Sequence, residues 1–165
     1  LIVLVGFMGA GKTTVGRILA RRLGVPFRDS DVVIEQRAGR PIRQIFAEEG
    51  EPAFRDLEHK VIADLLDGTD SVLALGGGAV QRADTRDLLK DVPVAYLRIS
   101  YAEAMRRVGG DQGRPMLVRP DVAQLHAERD LVYAEAATVT VDAGTSPPEA
   151  IARDILTLLA DAEAS

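Results

Sequence analysis

At 165 residues, 47% hydrophobic and 27% charged, the chain is long enough to bury a core of its own and too apolar for an intrinsically disordered segment. A net charge of −5 leaves no surplus of Lys and Arg for a broad nucleic-acid surface. The absence of cysteine removes disulfides, thiolate metal sites and a cysteine nucleophile, so any catalysis falls to oxygen and nitrogen groups.

The apolar run Leu1 to Val5 is too short for a secretion signal or a membrane span, and it ends at Gly6, which predicts a strand buried on both faces. From Thr13 the residues Val15, Ile18, Leu19 and Leu23 recur at helical spacing until Gly24 and Pro26 stop the helix. A short segment around Phe27 runs into Asp29-Ser30-Asp31, followed by helical patterns from about Val32 to Leu66. Within these, Phe54, Leu57, Val61 and Leu65 share one face of a helix that begins near Glu51. Val72 to Leu75 reads as the next strand, ended by Gly76, Gly77 and Gly78; a helix over Ala83 to Leu89 and a strand over Val92 to Ile99 follow. Helices over Tyr101 to Val108 and Val122 to Ala134 flank a loop containing Gly109, Gly110, Gly113 and Arg114. Thr138 to Val141 makes the last strand, and Pro147 or Pro148 opens a helix to about Leu159. Strands alternating with helices predict one α/β domain over residues 1–165, a parallel sheet with helices on both faces. In such sheets ligands bind beyond the carboxyl ends of the strands, where the Gly6, Asp29 to Asp31 and Gly76 segments all fall.

Gly6-Phe7-Met8-Gly9-Ala10-Gly11-Lys12-Thr13 fits the phosphate-binding loop pattern, with the required strand before it and helix after it. Its glycines let backbone N–H groups turn toward phosphates, Lys12 reaches the β and γ oxygens, and the Thr13 hydroxyl is a magnesium ligand. The competing reading, a glycine-rich turn that happens to hold a lysine, does not account for that context. No guanine-reading Asn-Lys-x-Asp segment is present, and the small size favours a metabolite or nucleotide kinase over a GTPase. Asp29 and Asp31, two apart, would share a side of an extended segment, one holding magnesium through water and the other meeting an acceptor hydroxyl. Helix capping by Asp29, Ser30 or Asp31 is the compatible alternative. Arg55 and Glu58 are neighbours on one helix, which a surface ion pair would also explain. The three glycines at 76 to 78 serve either close approach to a ligand or a tight turn. For Arg129, on the helix after the glycine loop, exposure to solvent is the ordinary expectation.

Taken together, the phosphate loop, Asp29-x-Asp31, Phe46-x-x-x-Gly50-Glu51-x-x-Phe54-Arg55-x-x-Glu58, Leu75-Gly76-Gly77-Gly78, Arg114-Pro115 and Arg129 resemble shikimate kinase in order and spacing, from Leu1 to about Leu159. The resemblance implies a three-layer nucleoside-monophosphate-kinase-like fold with a five-stranded parallel sheet of order 2-3-1-4-5, a substrate-binding helical region over 32–66 and a lid over 109–121. It implies ATP contacts from Gly9, Ala10, Gly11, Lys12, Thr13, Thr14, Arg107, Arg114 and Pro148, and Mg²⁺ held by Thr13 and, through water, by Asp29. Shikimate would be bound by Asp31, Arg55, Glu58, Gly76, Gly77, Gly78 and Arg129, with Lys12, Asp31 and Arg114 carrying the chemistry. Ser146 stands where some relatives place a basic residue near the nucleotide. The implied protein is a cytoplasmic monomer without nucleic-acid or membrane partners. Two other readings stay open on the residues: a different small-metabolite kinase such as a gluconate kinase, and a non-catalytic nucleotide-binding module, which would have no use for the acceptor residues.

Overall fold

Four consecutive apolar residues, Ile2–Val5, form strand β1, buried along its whole length as the uninterrupted apolar run requires. The computed structural model describes residues 1–108 and 122–164, so the segment 109–121 assigned to a lid, with Arg114, lies outside the described residues. Helix α1 (Lys12–Leu23) starts directly after the glycine-rich loop and ends at Gly24, whose backbone N–H reaches back to the carbonyls of Ala20 and Arg21. Strand β2 (Phe27–Asp29) leads into three helices, α2 (Ser30–Ala38), α3 (Ile42–Glu49) and α4 (Glu51–Leu65). The helical stretch read from 32 to 66 is thus broken at Gly39 to Pro41 and again at Gly50. On α4, Phe54, Val61 and Leu65 are buried and Leu57 packs against the core half-buried, the face the spacing predicts.

Strand β3 (Val72–Ala74) is followed by one 3₁₀ turn (Ala79–Gln81), which is too short to leave a periodic signal, and by α5 (Ala83–Leu88). Strand β4 (Val94–Arg98), α6 (Tyr101–Val108), α7 (Val122–Ala136), β5 (Val139–Asp142) and α8 (Pro148–Ala164) complete the order. Helix α8 runs past the expected stop at Leu159, because Ala160 to Ala164 is a run of Ala, Asp and Glu without Gly or Pro to end it.

The sheet has the order β2-β3-β1-β4-β5, and every pairing is parallel. Val3, Leu4, Leu73 and Leu97 in its central strands are fully buried, sealed by Leu19 of α1, Ile62 of α4 and Ile155 of α8. Helix α1 packs on β3 and α8, and α7 packs on β4. This layering leaves the carboxyl ends of β1, β2 and β3 facing one opening, which receives the phosphate loop, the start of α2 and the three glycines. Among the described residues no helix is long and apolar enough to cross a membrane.

Candidate active site

The phosphate loop closes with Gly11 at φ 91°, a left-handed conformation that a side chain rarely tolerates, and this turn swings the chain into α1 without a side-chain cap. The backbone N–H groups of a first helical turn have no intrahelical acceptors, so this end of α1 offers donors and a positive dipole to an anion. Lys12 bends back over the loop, donating from Nζ to the Gly6 carbonyl at 2.6 Å and the Phe7 carbonyl at 3.4 Å. Arg107 crosses from α6 to the same loop: Nη1 donates to the Gly9 carbonyl at 2.9 Å, and Nη2 to those of Ala143 at 2.6 Å and Gly144 at 3.2 Å. It therefore straddles the phosphate loop and the β5–α8 connection.

These residues border a cavity of about 650 Å³ in which Gly9, Gly11, Lys12, Thr13 and Thr14 form one wall. Asp29 and Asp31 line it too, but not by the geometry expected of them. Asp29 is the last residue of β2 and Asp31 sits in the first turn of α2, so the pair is not extended; the turn from strand to helix brings both carboxylates to the cavity. Asp29 also caps α2, its Oδ1 accepting from the Asp31 N–H at 2.8 Å and the Val32 N–H at 3.4 Å. Asp29 thus caps the helix and lines the cavity at once. The buried Ser30 hydroxyl accepts from the Gly76 N–H at 3.2 Å and ties this turn to the end of β3. Burial, reinforced by the nearby charges of Asp29 and Glu58, pushes the Asp31 carboxyl up to about 6 against the opposing pull of Lys12, with Glu35 adding a little to the rise.

Across the cavity stand Arg55 and Glu58 of α4. Arg55 Nη1 donates to Glu58 Oε1 at 2.8 Å, and Arg55 lies over the ring of Phe54, 5.2 Å from its centroid. A surface ion pair does not describe them, since Glu58 is only 2% exposed. Desolvation raises the Glu58 pKa, while hydrogen bonding and charge from Arg55 and the charge of Arg129 oppose it. Arg129 likewise departs from the expected solvated arginine. It is 7% exposed, lines the cavity, and its buried Nε has no hydrogen-bond partner among the described residues. The signal for this was its spacing: Val122, Arg129 and Tyr133 fall on one face of α7 and all three are buried. A buried guanidinium N–H left unpaired is costly and marks a place where an acceptor belongs.

The three glycines after β3 are explained by close approach. A Cβ on Gly76 would lie 2.5 Å from Asp31 Oδ1, one on Gly77 3.1 Å from Arg129 Nη1, and one on Gly78 would overlap the Arg55 guanidinium, 2.8 Å from its Cζ. Each glycine thus leaves room for a different side chain that lines the cavity. Tyr133, which the sequence reading passed over, donates its hydroxyl hydrogen bond to the Gly77 carbonyl. Of the remaining expected residues, Ala10 is buried in the loop, and Pro148 opens α8 on the surface without lining the cavity.

The cavity is chemically divided. One wall offers helix-end N–H groups and Lys12, suited to the phosphates of a nucleotide. The opposite wall offers two guanidinium groups with a single buried carboxylate between them, suited to a carboxylate ligand. Asp31 lies between the walls with an affinity for protons near neutrality. That division suits transfer of a phosphate from a nucleotide to a hydroxyl of an acidic small molecule.

Comparison with known proteins agrees. The family model described as shikimate kinase matches residues 8–160. A shikimate kinase of Mycobacterium avium is 48% identical over 161 residues, covering 95% of this chain and 92% of the relative. Among solved structures, shikimate kinase from Acinetobacter baumannii in complex with shikimate superposes with a TM-score of 0.89 at 39% identity, over 99% of this chain and 94% of that one. Shikimate kinase from Aquifex aeolicus gives 0.85 at 36% identity, over 96% and 95%. With its family pattern running through residues 8–160 and its sheet order matching, this chain belongs to the shikimate kinase family, the ATP-dependent phosphotransferases that its two-walled cavity suits.

Proposed function

We propose that the chain transfers the γ-phosphate of ATP to the 3-hydroxyl of shikimate, giving shikimate 3-phosphate and ADP. The observation that carries this assignment is the buried guanidinium of Arg129, its Nε unpaired among the described residues, facing the cavity opposite the phosphate loop. Shikimate presents a carboxylate and ring hydroxyls, so a carboxylate held by Arg129 and Arg55 directs a hydroxyl toward Asp31 and the phosphate wall.

In this mechanism the loop N–H groups and Lys12 hold the β- and γ-phosphates, Lys12 exchanging its contact with the Gly6 carbonyl for phosphate oxygens. The acceptor hydroxyl gives its proton to the ionised Asp31 carboxylate as its oxygen bonds to the γ-phosphorus. The bond from that phosphorus to the β-phosphate oxygen breaks, and ADP leaves with the electron pair. Arg107 and Pro148 serve the adenine side, and Gly76, Gly77, Gly78 and Glu58 shape the acceptor side. Arg114, outside the described residues, is assigned to the phosphates within a lid over 109–121, and residues 32–66, which hold Arg55 and Glu58 and directly follow Asp31, form the acceptor-binding region of a single domain. Magnesium needs only one or two protein oxygens when phosphates and waters supply the rest, and the Thr13 hydroxyl and the Asp29 carboxylate on one cavity fit that need. When bound it would supply neutralisation of phosphate charge. The same reading carries a cytoplasmic monomer acting on small molecules, and the net charge of −5 is in line with the absence of a nucleic-acid partner.

Product analysis by phosphorus–proton correlation NMR tests the assignment, with phosphorus coupled to the proton on C3 expected. Phosphorus on another hydroxyl would refute the proposed orientation. Shikimate methyl ester, which lacks the carboxylate charge, should be a poor substrate, and full activity with it would refute the role given to the arginines.

A further inference from the structure

Helix α7 buries one arginine and one tyrosine a single turn apart, Arg129 and Tyr133, at 7% and 1% exposure, which stacks them on the same helical face. Both reach Gly77. The Tyr133 hydroxyl donates to the Gly77 carbonyl, and the space beside the Gly77 Cα is bounded by Arg129 Nη1 and the Tyr133 hydroxyl, 3.1 and 3.6 Å from where a Cβ would stand. Burial lifts the Tyr133 phenol to about 12, opposed by the nearby charge of Arg129. The phenol therefore stays protonated at neutral pH, donating to the Gly77 carbonyl while Arg129 Nη1 lies on the same side of Gly77. Its ring is held from behind by Tyr96, with centroids 5.1 Å apart at 49°, and the Tyr96 hydroxyl is fixed in turn on Asp130 Oδ1 at 2.6 Å.

A core tyrosine that only filled space would need neither a hydrogen bond to the Gly77 carbonyl nor a place beside Arg129 at that same glycine. We infer that Tyr133 is a positioning residue for the acceptor: its hydroxyl holds the Arg129 guanidinium and the Gly77 peptide at one fixed spacing, so that the substrate carboxylate and ring meet both without rearrangement. This inference rests on the proposed reading of Arg129 as a carboxylate ligand. The hydroxyl does not reach the phosphate wall, so its effect belongs to acceptor binding and not to nucleotide binding.

Tyr133→Phe keeps the ring and deletes the bridge. It should raise KM for shikimate roughly tenfold, the worth of a buried hydrogen bond to a peptide group, with kcat and the KM for ATP nearly unchanged. Tyr96→Phe deletes a neighbouring buried hydroxyl that touches neither Gly77 nor Arg129, and should leave the KM for shikimate unaltered. If Arg129→Ala raises that KM while Tyr133→Phe does not, the inference is overturned and the reading of Arg129 stands; if Arg129→Ala leaves it unmoved, the reading itself fails and the inference with it. A second measurement needs no change at position 133. The chain has three tyrosines, so the ring-oxygen carbon of each, labelled with ¹³C, is assigned by substituting Tyr96 and Tyr101 singly. Saturating shikimate should shift the Tyr133 resonance in the otherwise unchanged protein, and a resonance that stays in place at saturation overturns the inference.

Discussion

Replacing Asp31 by Asn should make the protein more stable and nearly inactive. The side chain only partly reaches solvent, and its pKa stands at about 6 against an ordinary 3.8, first because of burial and then because of Asp29 and Glu58. A carboxyl group with a raised folded pKa contributes its stability fully below the unfolded value and loses it as pH rises through the folded value. At pH 8 the ionised group therefore costs the native state stability: about two pKa units at 1.36 kcal/mol each, or at most about 3 kcal/mol, less a discount for residual solvent contact. Asparagine removes that cost, so Tm at pH 8 should rise by roughly 3 to 10 °C, and the gain should shrink below pH 6 and vanish near pH 4. Turnover should fall by about a hundredfold or more, the usual loss of a positioned acid–base group. In the unsubstituted enzyme, log(kcat/KM) should drop with unit slope below about pH 6, reaching about a tenth of its plateau one pH unit lower. Scanning calorimetry from pH 4 to 8 beside steady-state rates of both proteins provides the assay. An asparagine variant that turns over normally, or one no more stable than its parent at pH 8, would refute the reasoning.

Lys12→Ala should lower kcat by about a hundredfold or more while leaving the circular dichroism spectrum intact, because the ammonium faces the cavity and not the core; unchanged turnover would remove the phosphate-loop assignment. Gly78→Ala should displace the Arg55 guanidinium and raise KM for shikimate about as much as Arg55→Ala does, with ATP affinity unaltered by calorimetric titration. A weakened ATP affinity there would place Arg55 on the wrong wall. Arg107→Ala frees the Gly9 carbonyl from its bridge to the β5–α8 connection and should weaken ATP by roughly tenfold without changing shikimate binding; the reverse pattern would contradict its nucleotide-side placement.

The sheet and most of its helices were legible in the sequence because each is written in local residue order: a five-residue apolar run, a glycine stop, apolar residues at helical spacing. The phosphate loop was legible for the same reason, since its chemistry is contiguous. The acceptor wall was legible only through the family resemblance, not from the residues themselves. Arg55, Glu58 and Arg129 were ambiguous between surface and site, because exposure is decided by which helix faces pack inward. Only the structure shows Glu58 buried beside Arg55 and Arg129 buried over Gly77. The glycine triplet could not be separated from an ordinary turn until three distant side chains were seen to fill the space of its missing Cβ atoms. The Asp29–Asp31 pair was placed on the cavity edge by a wrong geometry, since the strand ends at Asp29, two residues before the spacing argument needs it to. Tyr133 left no motif at all; only its position one turn beyond Arg129 pointed inward.

The most direct test of the account is the initial rate of ADP release with ATP and Mg²⁺, measured with shikimate and with gluconate at equal concentration. The acceptor wall, with Arg129 buried and Arg55 half-buried, predicts rapid, saturable release with shikimate and release near background with gluconate. Equal rates with both acids, or release that shikimate does not stimulate, would contradict it.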